Sequence, residues 1–204
     1  FHKSQRYGFF PSVGMAWNIT NEEFWNSNFI SLLKIRGTYG LVGNDAIGSI
    51  YDRFFYLSNV DMNSGARSAQ FGIPGSYYSR TGVLVTRNAN TDITWEVAKK
   101  TNLGIELGLM EKFTLEADYF SEYRSKILMN RSSIPSTMGL STVERANVGE
   151  ARSHGIDGSI NYSTSIGNHS WLKARANLTY ATSEFLKYEE PIYKESYRQH
   201  VGRS

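Results

Sequence analysis

The sequence predicts an all-β fold, specifically an antiparallel transmembrane β-barrel segment of about six long strands. Three observations predict it. Apolar side chains recur at every second place, as in "TNLGIELGLM", where Leu103, Ile105, Leu107 and Leu109 alternate with Asn102, Gly104, Glu106 and Gly108. The candidate strands run to about 11 to 16 residues, against roughly 5 to 6 for an ordinary strand. Short and long connections alternate along the chain, which places tight turns at one end of a meander and long loops at the other.

The elements follow in order. A first strand over about residues 9–19 sets Phe9, Val13, Met15, Trp17 and Ile19 on one face and Ser12, Gly14, Ala16 and Asn18 on the other. "TNEEFW" then offers Thr20 as a cap with Glu23 three residues on, a capping box for one short helical turn. A second strand, about 29–42, alternates Leu33, Ile35, Gly37 and Tyr39 with Lys34, Arg36 and Thr38. Residues 43–93 are rich in Gly, Ser, Asn and Tyr and read as a long functional loop, with at most a short strand at Val83–Thr86. The third strand, about 94–109, contains the stretch quoted above, and "MEK" turns it into the fourth, about 113–128. A second loop covers about 130–150. The fifth strand, about 151–166, and the sixth, about 171–186, are joined by "GNHS".

Composition agrees with strands. The chain has 13 Tyr, 11 Phe and 18 Gly against 4 Pro, a balance that favours β structure. No apolar stretch approaches the roughly 18 residues of a spanning helix, which excludes a helical membrane protein and leaves a barrel open. The net charge of +3 is spread along the chain without a basic stripe, which argues against a nucleic-acid partner. Absence of cysteine excludes a disulfide scaffold and a cysteine zinc site. The chain starts at Phe1 with no signal peptide, so residues 1–204 are expected to be one part of a barrel domain within a longer protein.

Facing assigns two sets of residues. The polar face, expected to be a wet lumen, holds Lys34, Arg36, Asn102, Glu106, Glu116, Asp118, Asp157, Asn161, Lys173 and Arg175. The apolar face is expected to meet outer-membrane lipid, with aromatic belts of Trp17, Phe113 and Trp171 beside the tight turns and Tyr39, Tyr119, Tyr123, Tyr162 and Tyr180 toward the loops. Phe113 to Tyr123 spans roughly 33 Å along a strand, or about 25 Å of height at barrel tilt, the lipid-facing band of such proteins.

Other motifs carry little chemistry. "GTYGLVGND" lacks the Lys-Ser/Thr of a phosphate loop and ends a strand where a phosphate loop opens a helix. His2, His154, His169 and His200 have no second ligand at metal spacing, and no cofactor is expected. No G-x-S-x-G elbow occurs. The N-x-S/T matches at Asn18, Asn130, Asn161, Asn168 and Asn177 follow largely from strand alternation. Glu106 and Glu116 could meet across the "MEK" turn as an acid/base pair or stand as solvated lumen acids, and the second reading fits a chain with no catalytic cleft.

"RYGFFPSVGMAWNITNEEFW", "LLKIRGTYGLVGND", "ITWEVAKKTNLGIELGL", "FTLEADYFSEYRSKIL", "ANVGEARSHGIDGSINY" and "YEEPIYKE" with "HVGRS" resemble, in order, segments of SusC/RagA-type TonB-dependent outer-membrane transporters of Bacteroidota. "NANTDITWE" departs from the family, which has Asn-Pro shortly before its Trp-Glu. The resemblance implies a barrel of about 22 strands around a plug domain in the outer membrane of a Gram-negative cell. It implies energised uptake of oligosaccharides or peptides, contact with TonB through an N-terminal part outside this chain, and a SusD-like lipoprotein over the mouth. It implies no enzymatic activity. Two rival readings of the residues remain: a secreted all-β carbohydrate-binding or adhesive module, and a passive porin.

Overall fold

In the computed structural model, which describes residues 1–27, 29–46, 54–167 and 169–203, the chain is almost entirely antiparallel strand. β1 (Ser12–Asn18), β2 (Ile30–Asn44), β5 (Glu96–Leu109), β6 (Phe113–Asn130), β7 (Arg145–Ile166) and β8 (Ser170–Lys187) form one six-stranded sheet in that order. β3 (Asn59–Ile73) and β4 (Ser76–Arg87) form a separate two-stranded ribbon. Each main strand pairs with its predecessor once that ribbon is set aside, so the sheet is a meander whose barrel is not closed within this chain.

Side-chain alternation fixes the register. Ile35 lies opposite Ile105, Ile105 opposite Ala117, Ala117 opposite Gly158 and Gly158 opposite Leu178, a continuous apolar row across five strands. The next row up holds Gly37, Leu103, Tyr119, Ile156 and Tyr180. None of the described residues covers this face. Leu178 is 74% exposed, Met15 80% and Ile156 55%, while Ile93 and Ala98 are the buried hydrophobic residues among those described. A water-soluble sandwich would bury such rows against a second sheet, so the single layer argues against the secreted-module reading.

The turns are built locally. Met110 and Glu111 both take positive φ, 52° and 58°, and Lys112 N donates to the Leu109 carbonyl at 3.0 Å, a tight hairpin turn without glycine. Gly167, at φ 66°, begins the β7–β8 turn. Asn168, both as part of that turn and as a glycosylation match, lies outside the described residues, as do residues 47–53 of the long loop.

Three expectations need correction. Residues 43–93 are more than a loop with one short strand: they carry the β3–β4 hairpin. β7 starts at Arg145, so the second loop is shorter than 130–150. The capping box does not form. Ile19–Asn21 is a single 3-10 turn without a side-chain cap; Thr20 donates to Asn18 Oδ1 at 2.7 Å and Trp17 Nε1 donates to Glu22 at 2.8 Å. One turn is too short for a reciprocal cap to offset these competing bonds.

Candidate functional site

The polar face is a charged wall built row by row. All ten residues expected to share a face do so: even positions of β2, β5 and β6 align with odd positions of β7 and β8. Register places Lys34 opposite Glu106, Glu106 opposite Glu116, and Asp118 opposite Asp157. Two of these are like-charge pairs, which by themselves oppose pairing.

β2 supplies the compensation. Lys34 Nζ lies 3.1 Å from Glu106, and Arg36 reaches both Glu106 through Nη1 at 3.2 Å and Asp118 through Nη2 at 2.5 Å. Arg36 Nε also donates to Asp118 Oδ1 at 3.3 Å, which completes a two-pronged fork. Arg36 and Asp118 sit on strands that are not neighbours, with β5 between them. The intervening residue in register is Gly104, and a Cβ there would run into the Arg36 Nε and the Asp118 Oδ1. The missing side chain is what lets the guanidinium cross the strand.

Toward β8 the wall has fewer internal pairs. Thr179 donates to Asp157 at 2.7 Å, Arg175 Nε donates to Asn177 at 3.1 Å, and Glu116 has no ion pair within 4 Å among the described residues. A shallow groove runs between Glu116, Asp157, Ser159 and Arg175. Glu106 and Glu116 do face each other, but Glu106 is engaged by two cations and presents no free acid/base pair to a substrate. Among the described residues no group of His, Asp and Glu is placed to hold a metal ion.

Sequence reasoning overlooked the continuation of this wall. Lys100, Glu122, Arg124 and Glu96 occupy the same face nearer the loops, with Lys100 and Glu122 3.3 Å apart and Arg124 bonded to Glu122. The same alternation that marks Glu106 and Glu116 marks these residues. Tyr162, expected toward the loops, stands instead opposite Phe113 at the tight-turn end, their rings 4.6 Å apart, because β7 runs from the loop side at Arg145 down to the turn after Ile166. Of the expected aromatic belts, Trp17, Tyr39, Phe113, Tyr119, Tyr123, Tyr162 and Tyr180 share the apolar face. Trp171 does not. It takes an odd position of β8, opposite Ser165, and its ring lies 5.2 Å from the Lys173 ammonium on the polar face. At Tyr123 the apolar face gives way to charge, because the same row holds Lys99, Arg152 and Glu184, the last two paired at 2.6 Å.

The loop end is clamped by asparagines. Asn147 accepts from Thr94 N at 3.0 Å and donates to the Thr94 and Lys126 carbonyls at 2.9 and 2.7 Å. Lys126 has φ 58° at a register shift in the β6–β7 ladder. Farther out, Glu189 takes an ion pair from Arg131 at 2.6 Å and bonds Ser133, which ties the loop after β8 to the loop after β6. Burial opposes the Glu189 charge, but the hydrogen bonds from Arg131 and Ser133 outweigh it and hold the carboxyl below the usual carboxylate range.

This architecture matches known proteins. Residues 1–200 match the family model "TonB dependent receptor-like, beta-barrel". TonB-dependent receptor P3 of Formosa agariphila is 32% identical over 163 residues, covering 79% of this chain and 15% of that protein. TonB-dependent receptor SusC of Bacteroides thetaiotaomicron is 28% identical over 190 residues, covering 92% of this chain and 18% of that protein. The RagAB peptide importer in its closed-closed state superposes with a TM-score of 0.75 at 23% identity, over 100% of this chain and 21% of the matched chain, a likeness of fold. The chain thus spans under a quarter of the length of each protein it matches. With the family model covering nearly every residue of an amphipathic, single-layer meander, the chain belongs to the TonB-dependent receptor β-barrel family.

Proposed function

We propose that this chain forms part of the wall of a TonB-dependent transporter in the outer membrane of a Gram-negative cell, one that takes up oligosaccharides or peptides without catalysing a reaction on them. The observation that carries this reading is the bare apolar face backed by a charged one, since a sheet with no second layer needs lipid on one side and water on the other. The ten polar-wall residues line the lumen, and the aromatic residues of the apolar face lie at the lipid interfaces. Energy comes from TonB, engaged by a part of the protein outside this chain, and a SusD-like lipoprotein closes the outer mouth. Support for that partnership is the kinship with SusC and the likeness to RagAB.

The test is uptake in living cells. Deleting the gene, or removing TonB, is expected to abolish growth on the carried nutrient at limiting concentration and to leave growth on free monosaccharide unchanged. Uptake that continues without TonB favours a passive porin and overturns the energised reading.

A further inference from the structure

Two ladder ends face one another at the base of the long loops. Asn130 stands opposite Arg145 at the end of the β6–β7 ladder, and Asn59 stands opposite Arg87 at the open end of the β3–β4 hairpin. Both pairs line one cavity of about 460 Å³. Ile93, 4% exposed, Leu128 and Val143 contribute its apolar lining, and the Phe55 ring, set edge-on to Phe1 at 5.5 Å, contributes an aromatic wall.

Much of the polar lining is already committed. Asn90 donates to the Arg145 carbonyl at 2.7 Å, Thr86 to the Asn59 carbonyl at 3.1 Å, Thr142 to the Thr86 carbonyl at 3.0 Å, and Asn88 bonds Glu144. These bonds hold the two ladder ends in place. Asn59, Asn130 and Arg145 line the cavity, and their side chains have no hydrogen-bond or ionic partner among the described residues.

Resting on the uptake reading above, we propose that this cavity binds a carboxylated saccharide, a short oligosaccharide bearing a uronate. The Arg145 guanidinium supplies a planar fork for the carboxylate. Each free asparagine amide offers a donor and an acceptor in one plane, which matches neighbouring hydroxyls that are themselves donors and acceptors. Phe55 offers an apolar surface for the C–H face of a sugar ring.

The experiment is titration calorimetry on the full-length protein in detergent with three probes: trigalacturonate, maltotriose and trialanine. Trigalacturonate is expected to bind most tightly. Arg145→Gln should weaken it roughly 10-fold or more and leave maltotriose affinity unchanged. Asn59→Ala, on the hairpin ladder, should weaken both saccharides and provides a second arm if Arg145→Gln fails to fold, as judged by heat-resistant migration of the barrel. Unchanged trigalacturonate affinity in the folded variants, no binding of it at all, or tighter binding of trialanine each overturns the proposal. TonB-dependent uptake alongside such a result rejects the cavity and leaves transport standing; Arg145-dependent binding in a protein that imports nothing does the reverse.

Discussion

Neighbouring residues of β5 should respond oppositely to substitution, because in the proposed barrel wall the strand divides lipid from a charged face. Ile105→Arg in the full-length protein is expected to destabilise the barrel by about 2 to 4 kcal/mol, the cost of a cation at mid-membrane, and Ile105→Leu to be nearly neutral. Urea-dependent loss of the heat-resistant form checks both. At Gly104, substitution by Val should push Arg36 away from Asp118 and cost roughly 1 kcal/mol or less, since the pair is partly exposed. Combining Gly104→Val with Asp118→Asn should add little to either change, because both remove the same contact. Alternation alone told which side chains share a face, and every polar-wall residue follows it. It could not tell that Glu106 is held by two cations or that Gly104 is a passage for a guanidinium, since both depend on which residue of β2 lies opposite which residue of β5. Trp171 was misplaced for a different reason: standing one residue into β8, it looked like a belt aromatic beside a turn, yet its odd position puts it with Lys173.

Elements differ in how plainly they announce themselves. β5, β6 and β8 alternate cleanly over residues 103–109, 113–119 and 172–180, whereas β3 reads Asp61, Met62, Asn63, Ser64, Gly65 and its ladder with β4 shifts register at three places, so no period of two survives to be seen. That hairpin returns to the sheet through the segment clamped by Asn147. Asn147→Ala should remove three hydrogen bonds and loosen residues 88–95, at a cost of about 1 to 3 kcal/mol locally. Limited proteolysis is expected to cut there in the variant first, and equal protection in both proteins would contradict the clamp. The Glu189 tie between loops carries a pH dependence whose sign follows from its lowered pKa. A carboxyl that ionises more readily when folded contributes stability above its unfolded pKa and loses it as pH falls through the folded value. The tie should therefore be intact at neutral pH and loosen below the ordinary carboxylate range, and Glu189→Gln should remove the pH response of hydrogen exchange in residues 131–133.

At the scale of the molecule, the fold makes sense only with a second solvent. Six strands in one layer leave rows of Leu, Ile, Tyr and Met uncovered on one side and a network of Lys, Arg, Glu and Asp on the other. The aromatic margin at Tyr123, where Lys99, Arg152 and Glu184 take over the apolar face, marks where lipid should end. The most direct measurement places single cysteines at Leu103, Ile105 and Leu178 on one face and at Asn102, Glu106 and Asn177 on the other, in the full-length protein reconstituted into vesicles. Each is labelled with an environment-sensitive fluorophore, and quenching by brominated lipid is compared with quenching by aqueous iodide. Lipid is expected to quench the first three and iodide the second three, whereas iodide quenching at Ile105 with lipid quenching at Glu106, or no difference between the faces, would contradict the barrel-wall account.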